Sequence, residues 1–450
     1  LHHSIIRTFA RIIELLEPAL FVGMALAFWT PDPRRVWALA LLIPILGSRW
    51  ILHRRLWTPT ALDRVWAAFL TVCALNVLAA TLSGDGTLPL TRGWVMLGRP
   101  LFGMMLALAL VEAIRQRGDA RIGIWLLVGI GGLIAALAVG ASSWSEKSIL
   151  FTPITSALPR IPRNDLTLGG FNVNEIGGAL TFVLPILAAV SISGDRRGLR
   201  GLAGGLFWIG MAALVLGQSR MAIFGVIAGL TLVAWTLIRA RGWRWLALGG
   251  LALLTAFELA LVGGLFGSDE VGISERDESS WGARILIWES AAAIIADHPL
   301  TGAGLNMFRD GRVRALYPVA GYEQQVLPHA HNAWLQIGTD MGIVGIALML
   351  AWQGVTVWLL WRLWRVGGDQ ARLIAVGCGG GLLAHAIFGL ADAIPLWDRF
   401  AFLGYLVTGL ALGQHWLITS WQQDRAILKQ DQEKALVAWQ SKTSITSSDG

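Results

Sequence analysis

The sequence predicts an all-α polytopic membrane protein with about twelve transmembrane helices, and three observations carry that prediction. Of the 450 residues 55% are hydrophobic and only 14% charged, against about 25% charged in average soluble domains, and the mean hydropathy is +0.60. The apolar residues fall in blocks of roughly 20, the length that crosses a bilayer as a helix, separated by short polar stretches. The 53 glycines and 23 tryptophans fit the same class, because glycine lets spanning helices approach and tryptophan collects at the membrane interface. A soluble globular chain is excluded. The pI of about 10.1 and net charge of +7 do not mark a nucleic-acid protein, since the basic residues are scattered over short loops and form no patch.

Twelve apolar blocks can be placed, near 10–29, 36–52, 64–82, 94–112, 122–140, 174–193, 201–218, 221–238, 244–265, 332–361, 373–391 and 399–418. The tenth is long enough to hold a tilt or an extension beyond the bilayer. Arginine sets the orientation, because positively charged short loops stay in the cytoplasm. Arg49, Arg54, Arg55 and Arg64, then Arg115, Arg117 and Arg121, then Arg196, Arg197 and Arg200, then Arg239, Arg241 and Arg244, then Arg362, Arg365 and Arg372 form the rich set. Poorer loops around Asp85, Ser219 and Asp398 alternate with it, and Arg34 and Arg35 are exceptions on the poor side. Both termini are then cytoplasmic, residues 1–421 form one transmembrane domain, and 422–450 form a polar tail, helical at first and disordered at its end.

Two long loops, 141–173 and 266–331, face outward, and loops of that length in a compact membrane protein are usually functional. In the second, Trp281, Ile285, Trp288, Ala292 and Ile295 recur at helical spacing and predict a short amphipathic helix lying in the interface. Pro299 ends it, and Gly302-Ala303-Gly304 is a turn; no strand precedes this GxG, so it is no dinucleotide motif.

Three outward features can carry chemistry. Pro328-His329-Ala330-His331-Asn332 places a histidine pair at the entrance of the tenth span. Asn332 can cap that helix, so His331 sits at its positive end, where anions are attracted and a neutral imidazole can act as general base. No Cys, Asp or Glu accompanies the pair at ligand spacing, which predicts no metal site. Ser219-Arg220, in the tight turn between spans seven and eight, can cradle a phosphate, with Ser219 capping the helix that follows. Arg284 lies on the rim of the amphipathic stripe at headgroup depth, where a lipid-linked phosphate would be found. Arg92, Arg99, Arg160 and Arg163 are weaker candidates of the same kind, and in a chain this rich in arginine each single Arg carries little weight. Asp269, Glu270, Glu275, Asp277 and Glu278 read as a solvated acidic segment, and His385 with Asp392 resembles a proton-relay pair of a transporter. Cys73 and Cys378 lie inside apolar blocks and behave as small hydrophobes.

The order Ser219-Arg220, Arg284-x-x-x-Trp288, His298-Pro299-Leu300-x-Gly302-x-Gly304-x-x-x-Phe308, His331-Asn332-x-x-Leu335-Gln336 and Gly342-x-x-Gly345 resembles the bacterial O-antigen ligase and polymerase superfamily. Phe171-Asn172-Val173-Asn174 is similar to the Asn-x-Asn element of that group. The resemblance covers roughly residues 170–350. It implies a membrane-embedded glycosyltransferase of GT-C type, with a large periplasmic loop containing short helices, working at the outer face of the inner membrane. The implied donor is a glycan on undecaprenyl pyrophosphate, used without a metal, cofactor or nucleotide sugar; the implied acceptor of a ligase is a sugar hydroxyl of lipid A-core. By matching motif, Arg220 and Arg284 bind the pyrophosphate and His331 is the base; His329, Ser219 and Asn332 are further residues whose roles stay open. A polymerase, which passes the glycan to a second lipid-linked repeat, and an O-oligosaccharyltransferase remain alternatives, with the His-Asn-x-x-Leu pattern and the large loop before it looking more like a ligase. A transporter of the same lipid-linked sugars would need polar residues along a path through the spans, whereas here they gather at one face.

Overall fold

The computed structural model describes residues 2–29, 33–82, 90–144, 152–158, 171–262, 281–323 and 325–446. Fifteen α-helices follow one another among these: α1 (His2–Trp29), α2 (Leu42–His53) behind a 3₁₀ helix (Pro33–Leu41), α3 (Asp63–Leu82), α4 (Leu90–Arg117), α5 (Arg121–Ala141), α6 (Thr152–Ala157), α7 (Val173–Ser193), α8 (Arg197–Gly217), α9 (Arg220–Leu237), α10 (Arg241–Val262), α11 (Trp281–Asp297), α12 (Gly311–Leu316), α13 (Ala333–Val366), α14 (Asp369–Phe388) and α15 (Phe402–Thr446). Ser142–Ser143 and Phe171–Asn172 pair in parallel as two short strands. The chain is an all-α polytopic membrane protein. Among the described residues eight stretches are long and apolar enough to cross a membrane: Arg35–His53, Val95–Arg117, Arg121–Gly140 and the helices α7, α8, α9, α13 and α14. The other four predicted spans fall on α1, α3, α10 and α15. Each predicted apolar block is therefore helical where it is described, and eight of the twelve are long and apolar enough to cross a membrane.

The core is built around α7, α9 and α14. Gly225 and Gly229 of α9 have no side chain to hold α14 away, and a methyl group at either would run into the carbonyl oxygen of Ala384 or Gly380. This is the close helix approach for which membrane proteins use glycine. Around these three helices α8 and α5 pack on α7, and α4 runs along α15.

The helix ends sort into two sets. At one end the turns in the arginine-rich set are tied together: Arg121 Nε pairs with Asp195 at 2.7 Å, Gln370 Nε2 donates to Asp119 at 3.0 Å, Thr58 Oγ1 donates to Glu112 at 2.7 Å, and Arg49 pairs with Glu17. The other end carries the starts of α7, α9 and α13, the end of α14, and residues 298–332.

Two expectations need correcting. The tenth span is not one tilted helix: Gly342, at φ 64° and ψ −161°, breaks α13. At the break Ile343 N donates to Pro299 O at 2.7 Å, and one turn earlier Ala303 N donates to Thr339 O at 2.7 Å. His298-Pro299-Leu300-x-Gly302-x-Gly304 and Gly342 thus form one docking joint, with Gly302 (φ 63°) and Gly304 (φ 103°) making the predicted turn. Nor is α11 the amphipathic helix that the sequence predicts. Ile285 and Ala292 are exposed, whereas Ala283, Ile287, Ala291 and Ile294 pack with Phe308, Val313, Val319, Tyr322, Leu327 and Ala330 in a second small core. The helix is apolar on both sides, so the predicted stripe does not mark a single apolar face.

Candidate active site

The site is organised by the first turn of α13. The Asn332 side chain accepts the N–H groups of Trp334 (2.9 Å) and Leu335 (3.0 Å), as its position before the helix predicts, a cap worth about 1 kcal/mol. Its Nδ2 also donates to Leu390 O at 2.8 Å, and Ala333 N donates to Gly389 O at 2.8 Å. The segment after α14 is thereby drawn across the start of α13, and it brings Asp392 to the histidine pair.

His331 has φ 47°, a left-handed conformation that costs a non-glycine residue roughly 1–3 kcal/mol unless its surroundings enforce it. Its N–H donates to His329 Nδ1 at 3.2 Å, and its carbonyl accepts Trp288 Nε1 at 3.4 Å. The residue is 7% exposed, and its ring Nε2 has no hydrogen-bond partner. His331 Nδ1 lies 3.4 Å from Asp392 Oδ1, His329 Nε2 3.9 Å from the same oxygen, and Arg284 Nη2 3.8 Å from Asp392 Oδ2. The buried carboxylate thus shows one oxygen to the histidines and the other to the arginine.

Burial alone would raise the Asp392 carboxyl, but His331, His329 and Arg284 outweigh it and hold it down at about 2. Burial first, then its neighbour His331, lowers His329 to about 3. His329 is therefore neutral. Because its Nδ1 accepts the His331 N–H, the proton of that neutral ring sits on Nε2, directed to Asp392.

Further side chains hold the loop. Gln336 accepts the Ala330 N–H (2.8 Å) and donates to the buried Asp340 (3.0 Å), which accepts the Asn306 N–H (3.2 Å). Arg309 donates to Pro328 O through Nε (3.1 Å) and Nη2 (2.8 Å). Gln336 of the His-Asn-x-x-Leu-Gln stretch thus has a structural task, and neither Asp340 nor Arg309 was marked by the sequence.

The other predicted residues are placed as follows. Arg284 is 9% exposed and shares one side of α11 with Trp288. Arg220 is exposed at the first residue of α9. Ser219 makes no side-chain capping bond; it is buried, at the point where α9 meets Gly177 of α7, so the expected cap is absent. Arg99 lines a cavity of about 410 Å³ together with His329, His331 and Asp392. The side chain of Arg92 lies outside the described residues, as do Arg160, Arg163 and the acidic segment 269–278. His385 and Asp392 form no relay: His385 stacks on Phe182 (ring centroids 3.9 Å apart) and contacts Thr181 Oγ1 (3.1 Å), while Asp392 belongs to His331.

The expectation of no metal rested on the pair having no carboxylate near it in sequence, and the fold supplies one. His329, His331 and Asp392 offer ligand atoms that all lie within 4.8 Å of one another, a set able to take a divalent cation. Arg284 at 3.8 Å from the same carboxylate already supplies a positive charge there, which opposes a cation.

Residues 205–350 match the family model described as O-antigen ligase. This segment is similar to the O-antigen ligase family. It contains Ser219, Arg220, Arg284, His329, His331 and Asn332, and it stops short of Asp392. No curated protein matches the chain.

Proposed function

We propose that the chain is a glycosyltransferase that passes a glycan from undecaprenyl pyrophosphate to a sugar hydroxyl of lipid A-core, the reaction of an O-antigen ligase. The observation that carries this reading is His331, buried, with Nδ1 3.4 Å from Asp392 Oδ1, no hydrogen-bond partner on Nε2, and Arg284 behind that carboxylate. A base fixed by a carboxylate leaves its second nitrogen free for a substrate hydroxyl. His331 Nε2 takes the proton as the hydroxyl attacks the anomeric carbon; Asp392 stabilises the imidazolium that forms. The bond from the anomeric carbon to the pyrophosphate oxygen breaks on the opposite face, so the product is inverted. Arg284 and Arg220 offset the charge that develops on the leaving pyrophosphate.

A lipid-linked donor is supported by an apolar groove of about 760 Å³, lined by Ala333, Trp334, Gly389 and Pro395 near the site and by Trp352, Trp361 and Trp364 farther along α13. Such a groove suits a polyprenyl chain beside a reacting headgroup. In this reading the protein lies in the bacterial inner membrane, its arginine-rich turns in the cytoplasm and the site on the periplasmic face, in a GT-C-like arrangement. A polymerase would use the same donor and base with a second lipid-linked glycan as acceptor. A transporter is disfavoured because the convergent groups lie at one end of the helices.

The test is transfer by purified, reconstituted protein given undecaprenyl-pyrophosphate-linked glycan and lipid A-core, read by gel shift and mass spectrometry. Glycan joined to lipid A-core, absent in His331→Ala, is the expected result. Longer undecaprenyl-linked chains with untouched lipid A-core would overturn the acceptor assignment in favour of a polymerase, and a product linkage that retains its anomeric configuration would overturn the mechanism.

A further inference from the structure

At the arginine-rich end, away from the site, the last turns of α7, α9 and α13 and the first turns of α14 enclose a cavity of about 690 Å³, within the roughly 300–1,000 Å³ usual for ligand pockets. Its wall holds Arg239, Arg365 and Arg372, with Asp369 as the acidic residue beside them, and all four are exposed. Helix ends leave backbone carbonyls without partners, and two other arginines of this end take them: Arg200 Nε donates to Ser191 O at 3.0 Å and Arg244 Nε to Ile238 O at 2.8 Å. Arg239, Arg365 and Arg372 do not. Among the described residues their guanidinium groups make no hydrogen bond and no ion pair, with Asp369 included, and Arg365 lies only over the ring of Trp361, 5.6 Å from its centroid. Three side chains built to hold anions thus converge on one space with no protein acceptor.

The rest of the wall says what carries the anion. Thr236, Trp364 and Val376 line this cavity and also line the apolar groove of about 760 Å³ between α9, α13 and α14, so the two spaces meet there. An occupant that uses both is charged at one end and has a long apolar chain at the other. Its depth in the membrane agrees, because Trp361 and Trp364 stand in the last turns of α13, where interfacial tryptophans mark the headgroup level. We propose that this cavity binds the headgroup of an anionic phospholipid, with one acyl chain entering the groove beside Trp364. Planar guanidinium groups hold phosphate oxygens in pairs. A zwitterionic lipid offers the same phosphate but brings a cation of its own toward three arginines and one carboxylate, so the cavity selects for net negative charge. The chain enters from the end away from Ala333 and Gly389, which leaves that end of the groove to a second chain. The inference rests on the membrane fold and is independent of the glycosyl-transfer reading.

The full-length protein, delipidated in detergent, is titrated with phosphatidylglycerol and separately with phosphatidylcholine of the same acyl chains, and bound lipid is counted by native mass spectrometry. Phosphatidylglycerol should bind about tenfold tighter or more, the scale of a few basic side chains acting on one anionic headgroup. The triple variant Arg239→Gln, Arg365→Gln and Arg372→Gln should lose that preference, and since all three residues are exposed it should fold as the parent does. A control triple variant, Arg64→Gln, Arg117→Gln and Arg197→Gln, removes the same charge from exposed arginines of the same end that lie outside the cavity, and should keep the preference. Equal affinity of the parent for the two lipids would overturn the proposal. Equal losses in the two triple variants would reduce the effect to overall charge and overturn it as well. Displacement of bound phosphatidylglycerol by inorganic phosphate would mark a site for a free anion and overturn the lipid assignment. Trp364→Ala should weaken phosphatidylglycerol by about threefold or more, and an unchanged affinity would overturn the place given to the acyl chain.

Discussion

The Asp392→Asn variant puts the coupling of base and carboxylate to the sharpest test. Asparagine keeps the shape of the side chain and can still accept the Ala393 N–H that Asp392 accepts at 2.8 Å. What it removes is the charge 3.4 Å from His331 Nδ1. Two full charges at that distance attract by about 5 kcal/mol at an effective dielectric of about 20. The side chains are only 9% and 5% exposed, so solvent screens the pair little. In the transition state the imidazole carries part of a charge, and half of that attraction, about 2.5 kcal/mol, is roughly 10²-fold in rate. A wrongly oriented or mis-tautomerised ring adds to the loss, and general-base contributions run to about 10⁴-fold. We expect kcat to fall by about 10² to 10⁴-fold in single-turnover transfer, with donor KM changing by less than about threefold. The double variant with His331→Ala should be no slower than His331→Ala alone, since the two act as one unit. A kcat within about threefold of the parent would refute the role given to Asp392.

Other outcomes follow from the same geometry. Arg284→Lys should recover little of the activity lost in Arg284→Ala, measured as kcat/KM for the donor, because lysine cannot reproduce the planar fork that holds two oxygens. Full activity in Arg220→Lys would reduce that residue to a simple charge. Treatment with EDTA should leave transfer unchanged; loss restored by one added metal would turn His329, His331 and Asp392 from base and partners into ligands. Gly342→Ala should destabilise by several kcal/mol, because its φ of 64° is strained for alanine and the new methyl would strike the Pro299 and Leu300 backbone. An unchanged melting temperature would show that the joint at 298–304 yields. Thermal stability should fall as pH drops below 6.5 toward 3, since the unfolded chain protonates residue 329 in that window and the folded one does not. The contribution of Asp392, held at about 2, is present above its unfolded value and is lost only as pH falls through that lower range. His329→Gln should flatten the slope between pH 6.5 and 4, and an unchanged slope would contradict the neutral state of His329.

The apolar blocks were legible because a bilayer demands about 20 residues whatever surrounds them, and each block is helical where it is described. The edges of α7, α8 and α9 agree with the sequence to within a few residues, α8 least closely at its start, since polar residues and glycine bound those helices sharply. Tertiary events inside a helix were not legible. Gly342 sits in an unbroken apolar run, and only the arrival of Pro299 O at Ile343 N makes a break there favourable. The apolar second side of α11 was missed for a related reason: Ala283, Ile287, Ala291 and Ile294 are no more apolar than the predicted stripe, and the second core alone decides which side is buried.

The candidate site divides along the same line. Asn332 and the histidines were readable because capping is local: an Asn just before a helix start, with two amides within reach, does the same thing in any fold. Asp392 was seen only beside His385, its neighbour in sequence, since a helical spacing of seven residues resembles a relay while a contact between loops has no spacing at all. One signal did point the right way. Asp392 and His331 fall in loops predicted for the same membrane face, and a charged residue confined to that face needs a partner there. The fold makes the match through Asn332, which caps α13 with its oxygen and holds Leu390 with its nitrogen. Asn332→Ala should therefore act twice, loosening the helix start and freeing the segment that carries Asp392. Its loss of kcat should exceed what the roughly 1 kcal/mol of a lost cap would cause, and Asn332→Asp, which keeps the cap and gives up the bond to Leu390, should separate the two effects. If Asn332→Asp transfers glycan at the parental rate, the bond to Leu390 is not what delivers the carboxylate to His331.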